Sequence, residues 1–451
     1  MRAFEQTLTS SLFSTPILDK TVHVGGWLTS ARFQKKVGFL VLMDGSSQLP
    51  LQIVIPEALL IEDPSLRTLG AGFSIQASGQ LVASKGAGQA WELLAESVTL
   101  IGAVDTPETY PIQPKYHSPE FLRSLPHLRP RVTRFGAIAR LRHVLMETIH
   151  HYLSEQGFLW IATPILSTAD TEGAGEQFMV TTSLDDPTEF FGKETFLSVS
   201  GQLDVEAFCM ALSRVYTFGP TFRAEKSQTS RHLAEFWMVE PEMAFASLDD
   251  IADLAEGLLK TCIKVVLEKL PEEMNYFEKE GGKSIQQWKA LAQDAFERLT
   301  YTRAVELLQT SKQIFQFPVA WGVDLQSEHE KALVEMIGRP VILTDYPKGI
   351  KAFYMKESVD GKTVEAMDIL VDGVGEIIGG SAREESLEKL VSKMQSLSMD
   401  IEEYRPYLDL RKYGSVSHAG FGLGFERLVA YLSSSPSVKD VIPYPRSYKS
   451  I

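Results

Sequence analysis

Two arginines carry the first suggestion of chemistry in this chain: Arg223 in "VYTFGPTFRAE" and Arg427 in "HAGFGLGFERLVAYL". A guanidinium stays charged and grips phosphate oxygens in a fork, so two of them on separate elements suit a polyphosphate and can stabilise charge developing at phosphorus. The residues nearby fit a nucleotide. Phe236 offers a flat face to a purine, Glu225 can accept from an exocyclic amine, and Glu376 with Asp368 supplies hard oxygens for magnesium between phosphates. Taken singly, an arginine or glutamate on a strand is more often solvated or ion-paired; the combination is what points to a site. No GxxxxGK[ST] occurs and no GxGxxG follows a strand, so neither P-loop nor Rossmann phosphate binding is supported.

The elements that must hold these residues follow from periodicity. Five short runs rich in Val, Ile, Leu and Phe, from "TVHVGGWLTS" to "AWELLAESVTLIG", are separated by Gly, Ser, Asp and Pro, which predicts a five-stranded β barrel of OB type over residues 1–103. On it, Phe39 and Trp27 are either stacking faces for single-stranded nucleic acid or barrel core, and Arg32, Lys35 and Lys36 could follow a phosphate backbone. Residues 104–133 are proline-rich and aperiodic, a linker or hinge. Ile138, Leu141, Leu145, Ile149 and Leu153 then recur at helical spacing up to Gly157, a left-handed cap. "FLWIATPIL" reads as an apolar strand ended by Pro164, and "FLSVSGQLDVEAFCMAL" as a strand turning into a helix. Two antiparallel strands around the polar "KSQTSRHLA" carry Arg223 and Phe236. A helical insertion is expected around 249–340, and a glycine-rich strand runs into the helix of Arg427. Residues 134–451 are therefore expected to form one α+β domain, a sheet flanked by helices.

Composition narrows the class. The chain has 451 residues, 44% hydrophobic and 23% charged, as in a globular protein of two or three domains. Its net charge of -14 argues against a general nucleic-acid coat but leaves room for a local basic groove. Two cysteines exclude a disulfide framework or a cysteine zinc site, and the lack of a signal-like opening or a long apolar run points to a cytoplasmic protein with no membrane association.

"GFLWIATPIL", "FRAE" with His232 and Phe236 behind it, and "GFGLGFER" resemble the three signature motifs of class II aminoacyl-tRNA synthetases, in that family's order. The N-terminal barrel resembles that of the subgroup charging Asp, Asn and Lys. "TEGAGEQF", "FFGKETFLSVSGQL", "TSRHLAEFWMVEPEMAF", "YPKGIKAFYMK" and "GVGEIIGGSARE" further resemble bacterial asparaginyl-tRNA synthetases, so the resemblance spans essentially the whole chain. It implies a seven-stranded, mostly antiparallel catalytic sheet, a homodimer built partly on the first motif, and ATP, L-asparagine and a tRNA as substrates with Mg2+ as cofactor. It implies further that Arg223 grips the α-phosphate, Phe236 underlies adenine, Glu225 meets the adenine end, and His232 the outer phosphates. Arg427 and Gly424 belong to the third motif at the ATP site, with Arg427 at the γ-phosphate and the other adenine face. Glu376 and, second to it, Asp368 would carry the metal.

The same resemblance places Glu172, Gln202, Glu240 and Arg383 at the amino acid. Aspartyl relatives resemble "QL-x-K" where this chain has Val205, so the lysine that would face a side-chain carboxylate is absent. An acid at Glu240 accepting from an amide and Arg383 donating to its oxygen would read asparagine. The chain departs from the asparaginyl pattern at Lys226, Gln228, Ala382 and Ser417. For the barrel the resemblance implies anticodon reading, with Phe39 and Arg32 as candidates. A relaxed aspartyl/asparaginyl enzyme and a non-catalytic RNA-binding paralogue remain as alternatives.

Overall fold

The alternating apolar runs of the first hundred residues close on themselves. In the computed structural model, which describes residues 6–16, 18, 20–86, 89–168 and 176–451, strands β1 (Thr21–Phe33), β2 (Val37–Met43), β3 (Leu51–Pro56), β4 (Ser74–Ala83) and β5 (Trp91–Gly102) form a closed barrel in the order β1-β2-β3-β5-β4. Only β3 and β5 pair in parallel. Period-two alternation sends Leu40, Leu42, Leu51, Ile53, Ile55 and Leu93 into a fully buried core. The residues between them face outward. This barrel belongs to the first of two compact units, Met1–Ala137, and the second is Ile138–Ile451.

The second unit is built on an eight-stranded sheet. Its order is β11-β12-β13-β14-β15-β10-β9-β6, from β6 (Leu159–Trp160), β9 (Arg214–Phe222), β10 (Glu235–Ala244), β11 (Glu297–Thr300), β12 (Val341–Pro347), β13 (Thr363–Val371), β14 (Gly375–Ala382) and β15 (His418–Gly424). The edge pairs β11 with β12 and β6 with β9 are parallel, and the central pairs antiparallel. A separate small sheet joins β7 (Leu166–Ser167) to β8 (Phe196–Leu197). The sheet thus has eight strands where seven were expected, because two edge elements pair beside the antiparallel core. The "FLWIATPIL" run contributes only two residues to it, with Leu159 and Trp160 half-exposed. Helix Thr133–Glu155 buries Ile138, Leu141, Leu145, Ile149 and Leu153, and Gly157 takes φ +82°, the expected cap. Between β10 and β12, five helices and the strand β11 occupy residues 248–337. No helix among the described residues is long and apolar enough to cross a membrane.

One buried carboxylate ties three of these elements together. Glu206, on helix Gln202–Leu212, accepts from Arg411 Nη2 at 2.8 Å, from the Tyr407 hydroxyl at 3.0 Å and from Gln202 Nε2 at 3.2 Å, and faces His418 Nε2 at 2.8 Å. Arg411 also donates from Nε to the Glu384 carbonyl at 3.0 Å. Burial alone would raise the Glu206 pKa, but Arg411 and His418 outweigh it and hold the carboxyl well below the usual range. Such a depressed group stabilises the fold above its unfolded pKa, and that stability is lost only as pH falls through the folded value.

Arg411→Met leaves this carboxylate buried without its main cation, and equilibrium urea unfolding at pH 7 should register a loss of about 3–5 kcal/mol. The acid-side fall in wild-type stability, attributable to Glu206, should flatten in the variant.

Candidate active site

A single strand lays out the site. On β10, Phe236, Met238, Glu240 and Glu242 alternate with residues of the opposite face, and all four line one continuous cleft. Opposite them on β15, residues 420, 422 and 424 are glycines. A Cβ at Gly420 would lie 2.2 Å from Glu242 Oε1 and one at Gly422 would lie 2.5 Å from the Met238 methyl, so the alternating glycines clear the floor for side chains of β10.

The cleft has two halves that share Arg223, Met238, Glu376 and Gly422. One half is lined by Glu225, Arg231, His232, Phe236, Gly424 and Arg427. Arg223 follows β9 directly, its N–H donates to the Ala234 carbonyl at 3.0 Å, and its guanidinium carbon lies 5.5 Å from the centre of the Phe236 ring. Arg427, in the first turn of helix Phe425–Leu432, donates from Nη1 to the Glu376 carbonyl at 3.0 Å and lies 3.4 Å from Glu376 Oε2. That helix is anchored by Glu426, which accepts the Trp237 N–H and Arg142 Nη1, each at 2.9 Å. His232 Nε2 lies 3.7 Å from Glu225 Oε2. Burial lowers the His232 pKa, and Arg427, Arg231 and Arg223 reinforce this against the opposing pull of Glu225. The half is therefore a recess where three arginines, interleaved with Glu225, Glu376 and Glu426, surround one aromatic floor.

The other half is lined by Ser200, Gln202, Glu240, Glu242, Lys351, Tyr354, Asp368 and Arg383. Glu240 accepts from the Ser200 hydroxyl and from the Gly201 N–H at 3.0 Å, which fixes the start of helix Gln202–Leu212. Arg383 donates to both Glu242 oxygens and, at 2.8 Å, to the Ser381 hydroxyl. Burial would lower the Arg383 pKa, and Glu242 more than reverses that. Lys351 Nζ donates to Asp368 at 2.7 Å and sits 3.8 Å over the Tyr346 ring. Two of the cations in this half are thus matched to carboxylates: Arg383 to Glu242 and Lys351 to Asp368.

The carboxylates suited to a divalent ion lie at the junction. A Cβ built at Gly379 would meet Glu376 Oε1 at 3.2 Å and Asp368 Oδ1 at 3.3 Å, so two hard oxygens converge on one bare stretch of backbone. They are not equivalent. Burial pushes both up, but Arg427, Lys351 and Arg231 bring Glu376 below the ordinary range, whereas Asp368 stays raised despite Lys351. The pair fits magnesium that takes its remaining ligands from phosphate and water; among the described residues no three His, Cys, Asp or Glu side chains gather around a common point.

Of the residues singled out in the sequence, Arg223, Glu225, His232, Phe236, Glu376, Gly424 and Arg427 meet in the first half, and Gln202, Glu240, Asp368 and Arg383 in the second. Glu172 lies outside the described residues. Val205 is fully buried against Cys209, Val215 and Ala244, away from the cleft. Sequence reading missed Glu242, Lys351, Arg231 and Glu426. Glu242 was recoverable, since two residues along a strand from Glu240 is the same face; the partners of Arg231 and Glu426 are too far off in sequence to leave a local signal.

In the barrel unit, Arg32 and Phe39 are opposite each other on β1 and β2. Phe39 pairs onward with Val54, and Val54 with Leu94, on the outward face. The next row holds Gln52, which donates to Glu92 at 2.9 Å. Trp27 is half-exposed and Phe39 lies outside the buried cluster, so neither is barrel core. An aromatic face beside an amide and a carboxylate offers stacking plus donor and acceptor groups for an unstacked base.

A family model described as tRNA synthetases class II (D, K and N) matches residues 118–448. The chain belongs to that family. Among its relatives, the asparagine-tRNA ligase of Legionella pneumophila (strain Corby) is 51% identical over 445 residues, 95% of each chain. That of Idiomarina loihiensis is 50% identical over 448 residues, 96% of each. In structure the synthetase resembles the crystal structure of asparaginyl-tRNA synthetase from Pyrococcus horikoshii complexed with asparaginyl-adenylate, with a TM-score of 0.89, 34% identity and 99% of both chains covered.

If Arg427 serves a polyphosphate from the first half, Arg427→Ala should lower kcat/KM for ATP in amino-acid-dependent pyrophosphate exchange by about 10²–10³. An unchanged circular dichroism spectrum would show that the loss is not one of folding.

Proposed function

We propose that this synthetase is an asparagine-tRNA ligase: it activates L-asparagine with ATP as an enzyme-bound adenylate, releases diphosphate, then transfers the acyl group to its tRNA and releases AMP. The observation that carries this reading is the cleft of two halves meeting at Arg223 and Glu376. A carboxylate held in one half and a nucleotide in the other would meet at the arginine. The relatives named for asparagine, at about half identity over nearly the whole chain, support the substrate.

In this reading Arg223 grips the α-phosphate, Phe236 forms the adenine floor, Glu225 meets the adenine end, and His232 and Arg427 take the outer phosphates. Gly424 leaves backbone space beside Arg427. The attacking carboxylate is already ionised, so no general base is needed and positioning with electrostatics does the work. Magnesium, when bound by Glu376 with Asp368, would screen phosphate charge. Glu172 and Gln202 would hold the substrate's α-amino group and its polar surroundings.

The amino-acid half favours an amide over a carboxylate for an electrostatic reason. Arg383 and Lys351 are committed to Glu242 and Asp368, so a side-chain carboxylate would enter beside acids whose cations are already matched. An amide finds acceptors in the acids of β10 and a donor in Arg383, with Glu240 also fixing the pocket wall. Mismatched buried polar groups can be worth about 10⁴–10⁵ in discrimination. The half-exposed Leu159, Trp160, Ile165, Leu166 and Met179 form an apolar surface around the first motif, which suits a homodimer contact. A cytoplasmic homodimer reading an anticodon through Phe39 and Arg32, with Gln52 and Glu92 beside them, completes the proposal.

Charging of a tRNA transcript for asparagine tests it. Asparagine should be esterified in an ATP-dependent way, and Phe39→Ala should raise KM for that tRNA by about 10-fold or more, the weight of one base stack, without altering pyrophosphate exchange. Charging with aspartate in place of asparagine, or none, would overturn the substrate; unchanged charging at limiting tRNA would remove Phe39.

A further inference from the structure

The insertion between β10 and β12 reads in sequence as a helical layer, yet one of its helices begins against the nucleotide half of the cleft. Helix Ser327–Ile337 carries Ser327 and Glu330 in its first turns. Arg231, from the polar loop between β9 and β10, donates from Nη1 to Glu330 Oε2 at 3.1 Å and to the Ser327 hydroxyl. The same Glu330 oxygen accepts the N–H of Glu376 at 3.2 Å. One carboxylate oxygen therefore joins the loop that carries His232 to the strand that carries Glu376.

The backbone is shaped around this junction. Gly375 takes φ +84°, and a Cβ there would lie 2.3 Å from Glu330 Oε2 and 3.0 Å from Arg231 Nη2. Only bare backbone lets the pair sit flush on the start of β14. The side chains of Arg231 and Glu330 are 17% and 13% exposed, so this is an ion pair largely withdrawn from water, where losing one partner is costly. Glu330 does not itself line the cleft, whereas Arg231, His232 and Glu376 do.

We propose that Glu330 is a positioning residue for ATP. Through Arg231 and the Glu376 amide it sets the separation of the two walls between which the polyphosphate lies, making the insertion a working part of the nucleotide half. The proposal rests on the reading of that half as the ATP site. The one contact of Glu330 with the amino-acid half is the backbone amide of Glu376, at the junction the two halves share, and among the described residues it touches no other that lines that half. A helix that merely packed against the sheet would, when loosened, disturb both halves and the melting temperature together.

The test is asparagine-dependent pyrophosphate exchange on the full chain, titrating ATP and asparagine separately, with melting temperatures. Glu330→Ala should raise KM for ATP by about 10- to 100-fold, the weight of charge-assisted hydrogen bonds, and leave KM for asparagine within about 2-fold. Glu330→Gln keeps an acceptor for the Glu376 N–H but not the charge, and should fall between wild type and Ala. Unchanged KM for ATP in both variants overturns the proposal, as does a parallel rise of both KM values with a lower melting temperature. Should the Ala variant not fold, the Gln variant decides by the same criteria. Absence of exchange in the wild type would instead overturn the ATP reading, and this proposal with it.

Discussion

Two anions must be brought into contact inside a chain of net charge -14, and the cleft is organised by that constraint. A carboxylate and a triphosphate repel, so fixed cations have to be present where they meet and nowhere else that would trap the wrong ligand. Arg223 stands at the junction of the two halves. Beyond it, the nucleotide half keeps Arg231, His232 and Arg427 around its recess, while the other half pairs Arg383 and Lys351 with acids. Arg231 and Arg427 meet acids too, Glu330 and Glu376, so the halves differ in burial: the Arg427–Glu376 pair stays partly open, whereas Arg383–Glu242 is sealed from water, where an unmatched charge is expensive.

The scaffold follows from this. An antiparallel sheet puts every second residue of β10 on one face, so the aromatic floor of one half, Phe236, and the acids of the other, Glu240 and Glu242, come from one strand at about 3.4 Å per residue. Its neighbour must then be stripped to glycine at alternate positions. Behind the cleft, the Glu206 cluster fixes helix Gln202–Leu212 against helix Arg405–Lys412 and β15. At its other side, Glu330 ties the insertion to the same sheet. Each support reaches the site through a backbone amide or a side chain that lines the cleft.

Much of this was legible in the residues, and the exceptions share a cause. The five barrel strands, the strand pair around the polar loop and the glycine-rich strand before Arg427 are local patterns, and they appear as expected. The position of Phe39 was ambiguous because register cannot be read from one strand; its pairing with Arg32 and Val54 places it outward. The edge strand at Leu159 was overestimated because an apolar run looks the same whether it is buried or half-exposed at an edge. Arg231 with Glu330 and Glu206 with Arg411 are 99 and 205 residues apart, and no periodicity announces a pair at that range. Lys351 lies within "YPKGIKAFYMK", but its partner Asp368 lies on β13, and no local pattern sets the two side by side.

Selectivity should follow from the matched cations of the amino-acid half, which admit an amide and refuse a carboxylate. It is tested most directly by exchange of labelled pyrophosphate into ATP without tRNA, with asparagine and with aspartate as the only amino acid. Exchange with asparagine and none above background with aspartate is the expected result. Comparable exchange with both would contradict it.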